Sequence, residues 1–273
     1  GVRIGIVVPE LHNQRDAIQH TLDEILIPEI FYPENQNQTP PYNFSLGKAL
    51  SLFPPISIAL SALNFFGTTL RFETISQLLR SPLIVGWTQE SGARALLDVK
   101  LREIGEPVFT IDTLIGLSTR FGCDTTCPIF LQRLRSTKKW LMVNQSNVKP
   151  GQWSSRFDQI LRMMGWLEDY SLSQEMFQLI SAWRELFAEL ASLDWVMGEI
   201  TATDATNLLN QMAGQRIFQS QVDNQSIQIL GPLEAQGIEF DFLWMVGLHD
   251  GVWPSHFDPN PFIPVPIQRK HQM

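Results

Sequence analysis

The chain has 273 residues, of which 44% are hydrophobic and 18% charged, with a net charge of -8; this is the balance of a soluble globular protein and excludes a disordered or fibrous one. The negative charge argues against a strongly basic protein that coats nucleic acid, yet leaves room for a basic groove on one face. Two cysteines, Cys123 and Cys127, imply no disulfide framework and point to a reducing, cytoplasmic compartment, while no run approaches the ~20 apolar residues that would cross a bilayer.

Along the chain, Val2 to Pro9 predicts a β-branched buried strand, and Glu10 to Leu26 a helix with Leu11, Arg15, Ile18, Leu22 and Ile25 at helical spacing. Strand feeding into amphipathic helix is half of a parallel βα unit. Ile27 to Tyr42 is rich in Pro, Asn and Gln and predicts a loop. A long helical stretch follows. It comprises a helix begun by Pro54 and Pro55, Phe72 to Leu79, Glu90 to Ile104, Thr110 to Leu117, Phe130 to Trp140 and Ser173 to Trp195, then a shorter helix capped by Thr203 or Asp204. Trp153, Trp166, Trp183 and Trp195 read as core anchors. Strands return at Arg216 to Val222 and from Ile227 onward.

The region Ile227 to Pro254 carries the most information. Ile227 and Ile229 alternate with polar residues as in a half-buried strand, whereas Phe240 to Val246 is nearly continuously apolar, as in a strand covered on both faces. Between them lies a polar turn with Glu234, Gln236, Gly237 and Glu239, at the kind of strand end where open parallel sheets bind ligands. Each flank of the helical block lacks the partner strands a stable sheet needs, so the economical arrangement pairs the two flanks with each other.

Glu234-Ala-Gln-Gly-Ile-Glu-Phe-Asp241, followed by Val246-Gly-Leu-His-Asp-Gly-Val-Trp-Pro254, resembles motif V of UvrD-type superfamily I DNA helicases. Leu233 stands at that motif's His position, Gln236 at its Lys position, and Gly-Pro where Thr is usual. These departures resemble the inactivated helicase half of AddB-like helicase–nuclease DNA repair proteins. Arg3-Ile-Gly-Ile-Val-Val-Pro-Glu-Leu-His-Asn-Gln-Arg15 is similar to helicase motif IV. Phe44 to Leu50, Leu78 to Leu83 and Trp153 to Phe157 resemble segments of the same AddB-like proteins, so the likeness spans almost the whole chain.

The resemblance implies an α/β fold: a split RecA-like (P-loop-NTPase-like) helicase C-terminal domain with a parallel sheet, made of residues 1–42 and 205–273. A mainly helical subdomain, 43–204, is inserted in it. It further implies a non-catalytic scaffold that holds DNA, single-stranded or a duplex end, within a bacterial repair and recombination helicase–nuclease, alongside a partner helicase–nuclease subunit. The chain itself is expected to be an excised piece of something longer. No Gly-x-x-x-x-Gly-Lys-Ser/Thr loop occurs, and no PD-(D/E)XK nuclease constellation, so the fragment is expected neither to hydrolyse ATP nor to cut DNA. The alternative is a fragment of an active helicase lacking its Walker-containing domain, in which case ATP and magnesium would be the cofactors. A third possibility is an unrelated α/β protein with a small ligand at the turn after Leu230.

By resemblance Arg15 matches the motif IV arginine that reaches the γ-phosphate, and Glu239 the motif V carboxylate near the nucleotide, with Gly237 allowing close backbone approach. With the motif's His and Lys lost, these positions are expected to be vestigial. Arg15 has the simpler reading of a solvated charge, and Glu239 that of a group bonded to its own turn. For DNA, Arg133, Arg135, Lys138 and Lys139 beside Trp140 combine cations for phosphates with an indole for stacking. The simpler reading of the same segment, favoured by the net negative charge, is a polar helix face with one buried aromatic. Gln236, on the motif V turn, is the second DNA-binding candidate. No metal is expected: the Cys-x-x-x-Cys pair lacks further ligands, and His249, His256 and His271 lack ligand spacing.

Overall fold

Apolar, β-branched Ile4-Gly-Ile-Val7 and the helical repeat behind it set the first βα step of the fold. The structure, a computed structural model, describes residues 2–31, 40–67, 69–144, 146–170, 172–219, 225–249 and 262–271. In chain order the elements are β1 (Ile4–Val7), α1 (Leu11–Leu26), β2 (Tyr42–Phe44), β3 (Lys48–Ala49), α2 (Pro54–Gly67), β4 (Leu70–Arg71), α3 (Phe72–Leu79) and α4 (Trp87–Ile104). Then come β5 (Val108–Phe109), α5 (Ile111–Arg120), α6 (Cys123–Thr126), α7 (Pro128–Val143), α8 (Pro150–Met163) and α9 (Gln174–Ser192). The chain continues through α10 (Ala202–Gln215), β6 (Ile217–Phe218), β7 (Ile227–Leu230), β8 (Phe242–Met245) and α11 (Val265–His271). They form two compact units, one of residues 1–47 with 221–273 and one of residues 48–220.

The first unit holds a four-stranded sheet in the order β2-β7-β1-β8. Every pairing is parallel: Ile4 to Val7 lie beside Ile227 to Leu230 on one side and Phe242 to Met245 on the other, and Tyr42 to Phe44 beside Ile227 to Ile229. The two distant flanks therefore do share one sheet. At this coarse level the unit is a Rossmann-like or RecA-like α/β fold, with a helix following its first strand. Asp241 fixes the register at the start of β8: its carboxylate accepts the Arg3 amide at 2.7 Å, and its own amide donates to the Arg3 carbonyl at 2.9 Å. Gly5 is required beside it, since a Cβ there would sit 2.9 Å from both Leu243 Cδ1 and the Phe240 ring.

A small core joins α1 to one face of this sheet: Val8, Leu11, Tyr42, Phe44 and Ile229 are buried, with Ile18 and Leu22 packed against them. The predicted stripe of α1 is thus confirmed at its centre but not at its end, where Ile25 is 69% exposed. The strand β8 also differs from expectation. Instead of being covered on both faces it is exposed throughout, and it is an outermost strand whose one strand partner among the described residues is β1. Tyr42, expected to end a loop, and Asn43 and Phe44, expected to open the helical block, form a strand of the sheet.

The second unit is the helical block, with one continuous core that includes Trp153, Phe157, Trp183, Phe109 and Phe130. Its chain ends meet in a short antiparallel ladder, Lys48 beside Phe218 and Ala49 beside Ile217. Helix α10 belongs here and not with the sheet: Ala205, Leu209 and Ala213 are buried in this core. Its cap is Thr201, two residues before Thr203 and three before Asp204; Thr201 Oγ1 accepts the Asp204 amide at 3.1 Å, and Asp204 completes a capping box. Trp153 and Trp183 are core anchors as expected, each 1% exposed, but Trp195 is 93% exposed. Helix α9 ends at Ser192, and the 3-10 turn Leu193–Trp195 carries the indole off the apolar stripe. Among the described residues no helix is long and apolar enough to cross a membrane.

Candidate functional site

Parallel strands deliver their carboxyl ends, and the loops that follow them, to one edge of the sheet, so the first unit's chemistry gathers there. After β7 the chain makes a tight turn over residues 231–237. The Ala235 amide donates to the Gly231 carbonyl at 3.1 Å, and Gln236 to Leu233 at 3.3 Å. Gly237 closes it in the left-handed region, at φ +78°, where an L side chain would be strained. Gln236 and Glu239 both point to solvent, exposed.

The carboxylate that organises this turn is Glu234. Its Oε2 accepts the Gly231 amide at 2.7 Å and also the hydroxyl of Ser45, which follows β2. Ser45 is held in turn by its amide, which donates to the Ile229 carbonyl at 2.8 Å. Glu234 thus ties the turn after β7 to the end of the neighbouring strand and occupies the Gly231 amide.

Arg15 lies one turn into α1, with its guanidinium carbon 4.7 Å from the centroid of the Phe44 ring. Among the described residues its Nε and Nη1 are buried without a hydrogen-bond partner. Burial of the guanidinium lowers its pKa from the ordinary value, opposed chiefly by the charge of Asp16. Arginine is nonetheless cationic at any physiological pH. It is therefore not the solvated charge of the simpler sequence reading. Nearby, the Tyr42 hydroxyl donates to the Asp23 carboxylate, pinning α1 to β2. Burial, reinforced by that hydrogen bond and charge, raises the phenol's pKa. Arg15 and Glu234 thus reach adjacent residues at the end of β2, a cation on Phe44 and a carboxylate on Ser45.

The basic candidates lie in the other unit, on α7, and most are already engaged. Arg133 Nη2 reaches both oxygens of Glu168, at 2.8 and 3.0 Å. Arg135 pairs with Asp124 at 2.6 Å and donates to Thr119 Oγ1 at 2.7 Å. Lys138 pairs with Asp112. The Trp140 ring packs against the helical core. Lys139 and Arg135 are the exposed cations of the set. These side chains tie α7 to α5, to α6 and to the segment after α8, with charge compensated locally.

Cys123 and Cys127 are both buried in that core. Burial first, then its hydrogen bond to Cys123, pushes the Cys127 thiol up to about 12, which keeps it protonated and unreactive. Among the described residues no group of three or more His, Cys, Asp and Glu could hold a metal ion. Asp250 to Pro254 of the motif V likeness and His256 lie outside the described residues. The roles of Ser45 and Phe44 were invisible in the sequence, because 189 positions separate Ser45 from Glu234. Glu234 itself had a local signal, its i+3 spacing from Gly231. Compared by sequence with known proteins, the chain matches no protein-family model and no curated protein.

Proposed function

We propose that this chain is a degenerate superfamily I helicase-like module of an AddB-like DNA repair protein, a scaffold that holds DNA without itself turning over ATP. The observation that carries this reading is the pairing of β1, which bears the motif IV-like segment, with β8, which follows the motif V-like turn, in one parallel sheet. The split RecA-like domain implied by the resemblance needs that juxtaposition. Capture of the Gly231 amide by Glu234 supports loss of nucleotide binding, since a carboxylate now stands where phosphate oxygens would need a donor.

On this reading the chain binds single-stranded DNA weakly, through few phosphate contacts. Fluorescence anisotropy with a labelled single-stranded oligonucleotide is expected to give affinity that falls with salt. Lys139→Glu should lower it roughly three- to tenfold and flatten the slope of log K against log salt by about 0.7. Binding that ignores both salt and Lys139 would remove DNA from the proposal.

The Nε and Nη1 of Arg15, buried without a hydrogen-bond partner among the described residues, favour a second reading, the active-helicase fragment, in which that cation meets a γ-phosphate. Thermal unfolding separates the two. A nucleotide held at 100 times its Kd stabilises the folded state by about 2.7 kcal/mol. The scaffold reading expects no shift with ATP and magnesium. A shift that disappears in Arg15→Ala would establish the active reading in its place.

A further inference from the structure

We propose, on the reading that this chain holds single-stranded DNA, that the strand crosses the turn between α7 and α8. Its phosphates lie on Lys139, Lys149 and Arg156, and one unpaired base stacks on Trp195.

Charge in the helical unit is unevenly placed. Residues 111–163 hold eight Lys and Arg against three Asp and no Glu, whereas residues 164–216 hold two Arg against eight Asp and Glu. The three aspartates of the first segment are already matched: Asp112 by Lys138, Asp124 by Arg135 at 2.6 Å and Asp158 by Arg162 at 2.7 Å. Arg133 is held by Glu168 at 2.8 Å. Among the described residues that leaves Arg120, Lys139, Lys149 and Arg156 with no carboxylate partner. Arg120 ends α5, and the other three run from the second half of α7 to the first turns of α8. Lys139 and Lys149 are exposed. The Arg156 guanidinium reaches back past the start of its helix to neutral partners, the Ser146 carbonyl at 2.8 Å and hydroxyl at 3.1 Å, so its charge stays uncompensated.

Trp195 supplies the stacking surface that Trp140, packed against the core, does not. It is 93% exposed, more than any other large apolar side chain among the described residues. Its backbone is nonetheless fixed. The Val196 and Met197 amides donate to the Leu193 carbonyl at 3.0 and 2.8 Å, and Asp194 Oδ1 accepts the Gly151 amide at 2.7 Å. That last bond sets the Trp195 turn against the first turn of α8, two residues from Lys149. Helix α10, 14 residues and about 21 Å long, separates this turn from the ladder where the chain enters and leaves the unit. Of the acids around Trp195, Asp194 and Asp204 are engaged with backbone amides. Glu199, exposed beside the Val148–Ile200 bridge, opposes an anion there. An ordered, solvent-facing indole beside uncompensated cations is the combination by which single strands are held without regard to sequence.

Fluorescence anisotropy of the full chain with a short labelled oligothymidylate tests the placement, with far-UV circular dichroism as a check on folding. Trp195→Ala should weaken binding roughly five- to a hundredfold and leave the slope of log K against log salt unchanged, since stacking releases no counterions. Trp195→Phe should keep most of the affinity. Lys149→Glu should weaken binding and flatten that slope by about 0.7, while Glu199→Lys should tighten binding and steepen it. On an abasic strand of the same length, Trp195→Ala and the unsubstituted chain should bind equally. Binding that Lys139→Glu weakens but Trp195→Ala and Lys149→Glu leave unchanged overturns this placement and keeps the DNA-holding reading. No binding by the unsubstituted chain overturns both. A Trp195→Ala loss that persists undiminished on the abasic strand also overturns the placement, because no base is then stacked.

Discussion

Arg94→Ala is expected to cost about 3–5 kcal/mol, because it leaves a buried carboxylate without its cation. Arg94 is 0% exposed and Glu90 3%. Arg94 Nη2 and Nε lie 2.8 and 3.2 Å from Glu90 Oε2. The same guanidinium donates to the carbonyls of Ile84, at 3.4 Å, and Val85, and stacks 4.9 Å from the Phe130 centroid. Glu90 in turn accepts the Ile129 and Phe130 amides at 2.5 and 3.1 Å, capping the first turn of α7. One ion pair therefore fastens α4, α7 and the segment before α4. Glu90→Ala should cost as much as Arg94→Ala, and the double substitution Glu90→Gln with Arg94→Met far less than the sum of the singles. Urea unfolding followed by tryptophan fluorescence measures all three. Single-variant losses under about 1 kcal/mol would mean that the pair is dispensable.

Gly165→Ala should be nearly as damaging, and Gly105→Ala supplies its control. Both glycines occupy the left-handed region, at φ +67° and +72°. A Cβ at Gly105 meets nothing within 4 Å, whereas one at Gly165 would lie 2.3 Å from Val85 Cγ1 and 2.4 Å from its Cβ. The two backbones must run this close, since the Val85 amide donates to the Gly165 carbonyl at 3.0 Å and the Leu167 amide to Leu83 at 2.8 Å. Gly105→Ala is expected to lose about 1–2 kcal/mol from backbone strain alone. Gly165→Ala adds overpacking, for a total of about 2–5 kcal/mol. Equal losses at the two positions would show that backbone strain, and not the Val85 contact, sets the cost.

Local periodicity carried the helices well. The stripe through Leu179, Trp183, Leu186 and Leu190 is buried as expected, and the strand at Ile4–Val7 lies where its β-branched run put it. Helix α8 has no counterpart among the predicted helices although its apolar positions Trp153, Phe157, Ile160 and Leu161 are buried; it starts at Pro150-Gly151, a dipeptide that is ordinarily a turn signal. The exposure of β8 departs from the expected burial for a different reason: a continuous apolar run records what a strand is suited to touch, not what lies beside it. At the candidate site Arg15 and Gly237 were legible from pattern, but the Glu234 to Ser45 contact is a product of tertiary structure. The α7 cations could be counted in the sequence, and their carboxylate partners could not, since Asp112 stands 26 positions from Lys138 and Glu168 35 from Arg133.

The little ladder of Lys48 and Ala49 with Phe218 and Ile217 has a kinetic consequence. Pairing β2 with β7 in an unfolded chain means closing a loop that contains the whole helical block, a search that slows folding. Once that block has folded, its two ends are already side by side, and only the short connections flanking the ladder remain to be closed. The loop shrinks by about four doublings of length, lowering the closure entropy by on the order of 2 kcal/mol. The expected order of assembly is that the helices condense first from local contacts and the sheet zips afterwards, so pulsed hydrogen exchange during refolding should protect amides of α8 and α9 before those of β1 and β7.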